Sequence, residues 1–320
     1  VTDLTRFSIN QMTVKQLTLP ELVEACGELG IPGVGLWREP VRAYGVEAAA
    51  KLVREAGLAV TSLCRGGFLT AIDTAERARA LDDNRAAIDE AATLGTDTLV
   101  LVSGGLPPGS RDLTAARSRI GDALAVLAPY AGERGVRLAI EPLHPMYAAD
   151  RCVVSTLTQA LDLAEAFPAS QVGVVVDTYH IWWDDRAPEA VSRAGAAGRI
   201  QAFQLADWTT PLPAGVLNGR GQIGDGSIDM REWRQRVDAA GTAARSRWSC
   251  STRCCGAGGG GGTAGDGGAV PGLRVPMRQR LPRRRTPTAD ETASAAGRPA
   301  GMLGAHRCRP GSGVRRPKVW

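Results

Sequence analysis

Residues Val136–Pro145 read VRLAIEPLHP. An apolar run ends in a carboxylate, Glu141, and a proline follows. A short apolar run bounded by turn signals is how a strand buried on both faces reads. Proline cannot extend a hydrogen-bonded ladder, so the strand is expected to stop at Glu141. A charge at the carboxyl end of a buried parallel strand sits where α/β folds keep their chemistry. Taken alone, Glu141 serves equally well as a salt-bridged strand end. The pattern recurs, however. Val172–Asp177 reads VGVVVD, and Arg199–Asp207 reads RIQAFQLAD, with Gln204 and Asp207 near its end. Three successive strands thus offer oxygen ligands at one level, and that convergence favours a site.

Working outward, apolar strand runs alternate with amphipathic helical stretches. Strands are expected at Phe7–Asn10, Val34–Trp37, Ala59–Cys64 and Thr98–Val102, then at the three runs above. Helices are expected at Leu19–Leu29, Gly45–Ala56, Asp73–Leu94, Leu113–Arg134, Leu157–Phe167, Pro188–Ala197 and Met230–Ala240, with glycine closing most of them. Repeated strand–helix units at roughly 30 to 40 residue spacing predict a parallel sheet. Seven units are visible up to Gly241. A (β/α)8 TIM barrel takes about 250 residues and eight strands, so an eighth strand is due just after Gly241.

There the text changes. Residues 242–320 are rich in Gly, Arg and Pro and show no strand period, a composition that reads as disorder. The formal charge of +5 divides into +12 for this tail, with 15 basic and three acidic residues, and −7 for residues 1–241. A basic pI of 9.0 therefore describes the tail, and the body is acidic. Back-translating Arg245–Gly256 with GC-rich codons and reading the neighbouring frame allows VEVELLNEVLW, an alternating strand with acids. The expectation is a TIM-barrel body over residues 1–241 and a frameshifted, disordered tail over 242–320. Loss of the eighth strand would leave the seventh and first strands as open edges, which invite aggregation, and a weak enzyme.

No run of about 18 apolar residues is present, so no membrane span is expected. The opening VTDLTRFSIN lacks the basic and apolar regions of a secretory signal. Cys26, Cys64 and Cys152 are scattered as in a reduced, cytoplasmic protein.

IEPLHPMYAADR, VGVVVDTYHIWWDD, and FQLADW followed by GRGQIGDGSID resemble the xylose-isomerase-like TIM-barrel group of sugar isomerases and epimerases. That group includes hydroxypyruvate isomerase, tagatose and psicose 3-epimerases, and inosose-processing enzymes. The opening NQMTVKQLTLPELVEACGELGIPGVGLWRE is similar to an actinobacterial branch of it. The resemblance covers Phe7–Gly241. It implies a divalent cation at the barrel mouth, held by Glu141, Asp177 and Gln204, with a fourth ligand, a Glu, on the eighth strand. In the restored frame that Glu falls in a codon straddling Trp248 and Ser249. All-oxygen ligation suits Mg2+ or Mn2+. Cys254 and Cys255, in the tail, are discounted as zinc ligands.

The resemblance further implies proton transfer next to a carbonyl through a metal-stabilised enediolate, with Glu141 as base and His180 holding a substrate oxygen. The body has only two histidines, His144 and His180, and both flank proposed ligands. A lone histidine is more often structural, but two of two at strand mouths favour a site. His144 and Arg220 are expected to meet the substrate. Trp182, with Trp183 and Trp208, is expected to wall the pocket, a place where aromatics are as often plain packing. Gly219, Gly221 and Gly224 spell G-x-G-x-x-G, but they follow no strand directly and open no helix, so they read as a flexible loop and not a dinucleotide fingerprint. The expected partner is a small sugar or ketose, with homo-oligomerisation left open. Two rivals are weighed: a metal-dependent lyase on 3-keto sugars or inosose, and a non-catalytic protein binding nucleic acid through its basic tail.

Overall fold

The computed structural model describes residues 4–212, 220–241 and 248–250, the last three by their backbone alone. The strands that build the barrel are β1 (Phe7–Asn10), β2 (Gly33–Trp37), β3 (Ala59–Gly67), β4 (Thr98–Val102), β5 (Arg137–Ile140), β6 (Val172–Asp177), β7 (Ile200–Leu205) and β8 (Trp248–Cys250). Each pairs in parallel with its neighbours, and β8 pairs with both β7 and β1, closing the barrel. The helices are α1 (Leu19–Leu29), α2 (Arg38–Tyr44), α3 (Val46–Glu55), α4 (Thr74–Thr93), α5 (Leu113–Glu133), α6 (Leu157–Ala164), α7 (Thr178–Ile181), α8 (Ala187–Ala196) and α9 (Met230–Ala239).

This architecture is the expected TIM barrel, with one correction. The stretch after Gly241 was expected to hold no strand, yet Trp248–Cys250 fills the eighth stave. Its register sets Ser249 beside Gln204 on one side and Ser8 on the other. Ladder bonds use backbone groups only, so three residues of no particular pattern can complete a ring whose two edges would otherwise stay unpaired. The expected open edges of β7 and β1 are therefore paired. The expectation of a disordered tail otherwise falls on residues outside the described ones.

Two smaller differences concern β3 and α2. β3 runs past Cys64 to Gly67, where two glycines let it pass close to β4. A Cβ on Gly67, at φ 114°, would overlap the Val102 carbonyl. Helix α2 was missed because the seven residues REPVRAY carry too few apolar positions to show a period.

Polar capping starts the helices where the sequence places Asp or Thr. Asp73 accepts from Glu76 N–H at the start of α4, and Asp112 accepts from Ala115 N–H at the start of α5. The apolar residues form two shells. The larger lies between strands and helices and includes Leu99, Leu101, Leu138, Ile140, Val174, Val176 and Phe203. The smaller holds Cys64, Val100, Ala139, Val175 and Ala202. These are the alternate residues of the same strands, so they face the barrel interior. Two residues further along, the same alternation turns Glu141, Asp177 and Gln204 inward at the carboxyl end.

Helix α2 is tied down by charge. Arg38 is only 5% exposed. It donates to Glu90 at 2.8 Å, to Asp83 at 2.9 and 3.0 Å, and to the Arg65 carbonyl at 3.3 Å. Arg42 adds a second donor to Glu90 at 2.7 Å. The network joins α2 to α4 and to the end of β3. Removing one partner of a buried pair strands the other. Arg38→Ala is expected to lower unfolding free energy by about 3 kcal/mol in urea titrations, while Arg42→Ala, at a half-exposed position, is expected to lower it by less than about 1 kcal/mol.

Candidate metal centre and its arginine

Glu141 follows β5 directly and Asp177 ends β6, so neighbouring staves deliver both carboxyls to one point. Asp177 is 0% exposed and Glu141 6%. Asp177 Oδ1 accepts from Tyr179 N–H at 2.9 Å, and Oδ2 lies 4.0 Å from His180 Nε2. An oxygen of each carboxyl lies within 4.8 Å of the other. Burial, with the charge of Asp177 next in weight, pushes the Glu141 carboxyl up to about 8. Burial also raises Asp177, opposed by Arg220.

His180, 2% exposed, stands on α7 one turn beyond Asp177. One ligand atom from each of Glu141, Asp177 and His180 lies within 4.8 Å of the others. Among the described residues these are the His, Cys, Asp and Glu side chains that gather as a metal site would. Burial, followed by Arg220 and His144, pushes the imidazole well below its ordinary value, so the ring is neutral. Its Nδ1 faces the backbone N–H of His144 at 3.2 Å. Its Nε2 faces the Arg220 guanidinium at 3.0 Å, so both ring nitrogens meet donors and a neutral ring can accept from one of them.

Arg220 comes from the far side. It lies on a two-residue antiparallel ribbon, Arg220–Gly221 against Asp207–Trp208. Its Nη1 stands 3.4 Å from Asp177 Oδ2 and its Nη2 3.0 Å from His180 Nε2, with the guanidinium 4.7 Å above the Tyr179 ring.

Asp207 holds that ribbon in place. Its buried carboxylate accepts from the backbone N–H groups of Trp208, Gly224, Gly226 and Ile228, at 2.8 to 3.1 Å. A Cβ on Gly226 would strike the carboxylate. This corrects two readings. Asp207 is no oxygen ligand but a tether for the loop. Gly226 serves close approach to it, and Gly224 serves a backbone turn at φ 95°. An Asp followed at fixed distance by a glycine pair is the signal that could have shown this.

The other expected residues fall around the mouth. Gln204 is buried and pairs with Asp177 in register. The ring of His144 packs on Trp208 at 5.0 Å and Trp183 at 5.6 Å, and its Nδ1 accepts from Met146 N–H. Its backbone N–H, which sequence reasoning did not foresee, orients His180. Trp182 is half-buried against Trp208 at 5.5 Å. Tyr147 and Tyr179, also unforeseen, pack edge-on against His180 at 5.9 and 5.4 Å.

The sequence pattern of the xylose isomerase-like TIM barrel matches residues 23–251. The chain belongs to that family. A solved structure, that of protein SMc04130 from Sinorhizobium meliloti 1021, is 44% identical, with a TM-score of 0.75 over 79% of this chain and 92% of that one. Two more distant structures share the fold. The IolI protein with a binding zinc atom is 20% identical, with a TM-score of 0.66 over 78% of this chain and 90% of its own. D-psicose 3-epimerase with D-tagatose, from Clostridium cellulolyticum H10, is 16% identical, with a TM-score of 0.64 over 77% and 85%. No curated protein sequence matches the chain. No helix among the described residues is long and apolar enough to cross a membrane, and Cys26, Cys64 and Cys152 are buried and unpaired.

Two outcomes are expected. Glu141 holds its proton in the folded state up to about pH 8, whereas an unfolded carboxyl loses it near pH 4.5. Its contribution is thus full below the lower value and is lost as pH rises through the upper one. Thermal melts of metal-free protein should show Glu141→Gln more stable than the parent at about pH 9 and little changed at about pH 5. Asp207→Ala strands several backbone donors, so limited proteolysis should cut within residues 222–228 far faster than in the parent.

Proposed function

We propose that the chain is a divalent-metal-dependent sugar isomerase or epimerase that moves a proton at the carbon beside a carbonyl. The observation carrying this reading is the buried Glu141–Asp177 pair at the barrel mouth, with His180 and Arg220 converging on it. Two desolvated carboxyls side by side are costly unless a cation joins them. Oxygen donors from Glu141, Asp177 and Gln204 suit Mg2+ or Mn2+. When bound, such an ion would supply Lewis-acid polarisation of a hydroxy-ketone.

The remaining work belongs to the side chains. Glu141, whose basicity is raised by burial, takes the proton from the carbon facing it. His180 and the Arg220 guanidinium hold a substrate oxygen. His144 and Trp182 wall the pocket with Trp183 and Trp208. The substrate is a small sugar or ketose met in the cytoplasm. The family membership and the fold shared with D-psicose 3-epimerase support this reading.

The fourth ligand is a separate part of the proposal. Trp248–Cys250 brings no carboxylate to the eighth stave, although Ser249 pairs with Gln204 at the ligand level. The neighbouring frame writes Glu across the codons of Trp248 and Ser249. We infer that residues 242–320 are a frameshifted translation and that the restored Glu is the fourth ligand and second proton-transfer group.

The test is metal-dependent turnover of a ketose panel by the chain as it stands and by the frame-repaired chain. The repaired chain should turn over at least about 100-fold faster, the scale of one acid–base group. Glu141→Gln in it should lower kcat by about 10²- to 10⁴-fold. Equal turnover by both chains would sink the frameshift reading. An unsaturated product in place of an isomer of equal mass would assign lyase chemistry instead.

A further inference from the structure

The rim across from the two carboxyls carries a second cation. β3 and β4 slip register between Cys64 and Gly66, so Arg65 is the extra residue of a β-bulge. Bulges at barrel rims re-aim side chains. Cys64 faces the barrel interior, while a Cβ on Gly66 would meet the Asn84 amide oxygen on α4. Arg65 lies between these two opposed residues. Cys64 is level with Val100, and Val100 with Ala139, two residues before Glu141. Arg65 thus starts two staves from Glu141, and with neighbouring strands about 4.8 Å apart the two backbones are about 10 Å apart. Burial raises the Cys64 thiol well above its ordinary value, and the charges acting on it are, in order, Glu141, Arg65, Glu39 and Arg220. Both cations and the catalytic carboxyl therefore bear on one lumen.

The Arg65 guanidinium is supported but unused. It stacks at 4.5 Å over the Phe68 ring. It stands 3.6 Å from Glu39, too far for a hydrogen bond, and the side chains are 30% and 63% exposed. An ion pair of that kind holds weakly. Arg65 donates no hydrogen bond among the described residues, whereas Arg38 commits its guanidinium to Glu90, Asp83 and the Arg65 carbonyl. Phe68 is itself an outlier. It is 41% exposed and has φ 56°, a left-handed backbone that is costly for a bulky side chain. Its N–H bonds the Val102 carbonyl at 2.9 Å, which holds it there. A strained, exposed ring beneath a planar cation is a platform that fixes the plane of a forked donor.

We propose that Arg65, backed by Phe68, determines specificity at this mouth by taking an anionic end group of the substrate, a phosphate or a carboxylate. The inference rests on the isomerase reading of the same mouth and narrows its substrate to charged ketoses. A guanidinium fork matches two oxygens of either group. The anion replaces the loose contact with Glu39 by bonds of hydrogen-bond length. The span between the two rims suits a short sugar chain whose reacting end lies at Glu141 and whose charged end lies at Arg65.

The experiment is calorimetric titration of the Mn2+-loaded full-length chain with D-fructose, D-fructose 6-phosphate and D-fructuronate, ketoses that differ in the end group. The parent is expected to bind one charged ketose at least about tenfold more tightly than D-fructose, the scale of a hydrogen bond to a charged group. Which of the two it prefers identifies the end group. Arg65→Gln should bring all three within about threefold of one another and leave D-fructose binding unchanged. Arg65→Lys keeps the charge without the fork and should retain part of the preference. A parent that binds the three alike, or an Arg65→Gln chain that keeps the preference, overturns the inference and leaves the isomerase reading standing. Failure of both variants to fold makes Arg65 a structural residue and also overturns it. Absence of binding by every ketose removes the isomerase reading and this inference together.

Discussion

Two carboxyls held against each other in a dry barrel mouth are the constraint around which the molecule is arranged. Neither Glu141 nor Asp177 can ionise freely while the other is charged, and water reaches neither well enough to help. The surroundings supply partial remedies: a backbone N–H on one oxygen of Asp177 and a guanidinium beside the other. Each lowers the energy of the pair without removing the repulsion. A site kept in this condition is prepared for a compact positive charge.

Rigidity around the pair comes from several unrelated sources. The barrel fixes where Glu141 and Asp177 begin, because both follow small, inward-facing residues, Ala139 and Val175, on adjacent staves. His180 is held from behind by a backbone N–H of the loop after β5, so one element orients a residue of the next. The carboxylate of Asp207 gathers the loop that bears Arg220. The Arg38 network anchors the opposite rim through Arg65. Fixed donors aimed at one place need no reorganisation when charge develops there, which is the usual source of catalytic advantage in such mouths.

Much of this was legible in the chain. Apolar runs ending in Glu141 and Asp177 gave the staves and the level of the site, since strand alternation is strict and proline and glycine punctuate it clearly. The ring order followed from alternating strands and helices. What was not legible depends on contacts between distant segments. Nothing in LAD announces that Asp207 will turn away from the mouth to collect four amides. Helix α2 is held by buried charge, which leaves no apolar period. The orientation of the His180 ring depends on a peptide N–H thirty-six residues earlier. The last stave escaped notice because a backbone ladder makes no demand on side chains.

That indifference has its own outcome. A cylinder sealed by main-chain bonding keeps its shape whichever side chains the sealing segment bears, so integrity of the scaffold and competence of its rim can part company. A lineage could carry a scrambled final stave for some time and still make a folded protein, with solubility and melting behaviour giving no warning. The loss would register only at the rim, as one missing oxygen in a ring of donors.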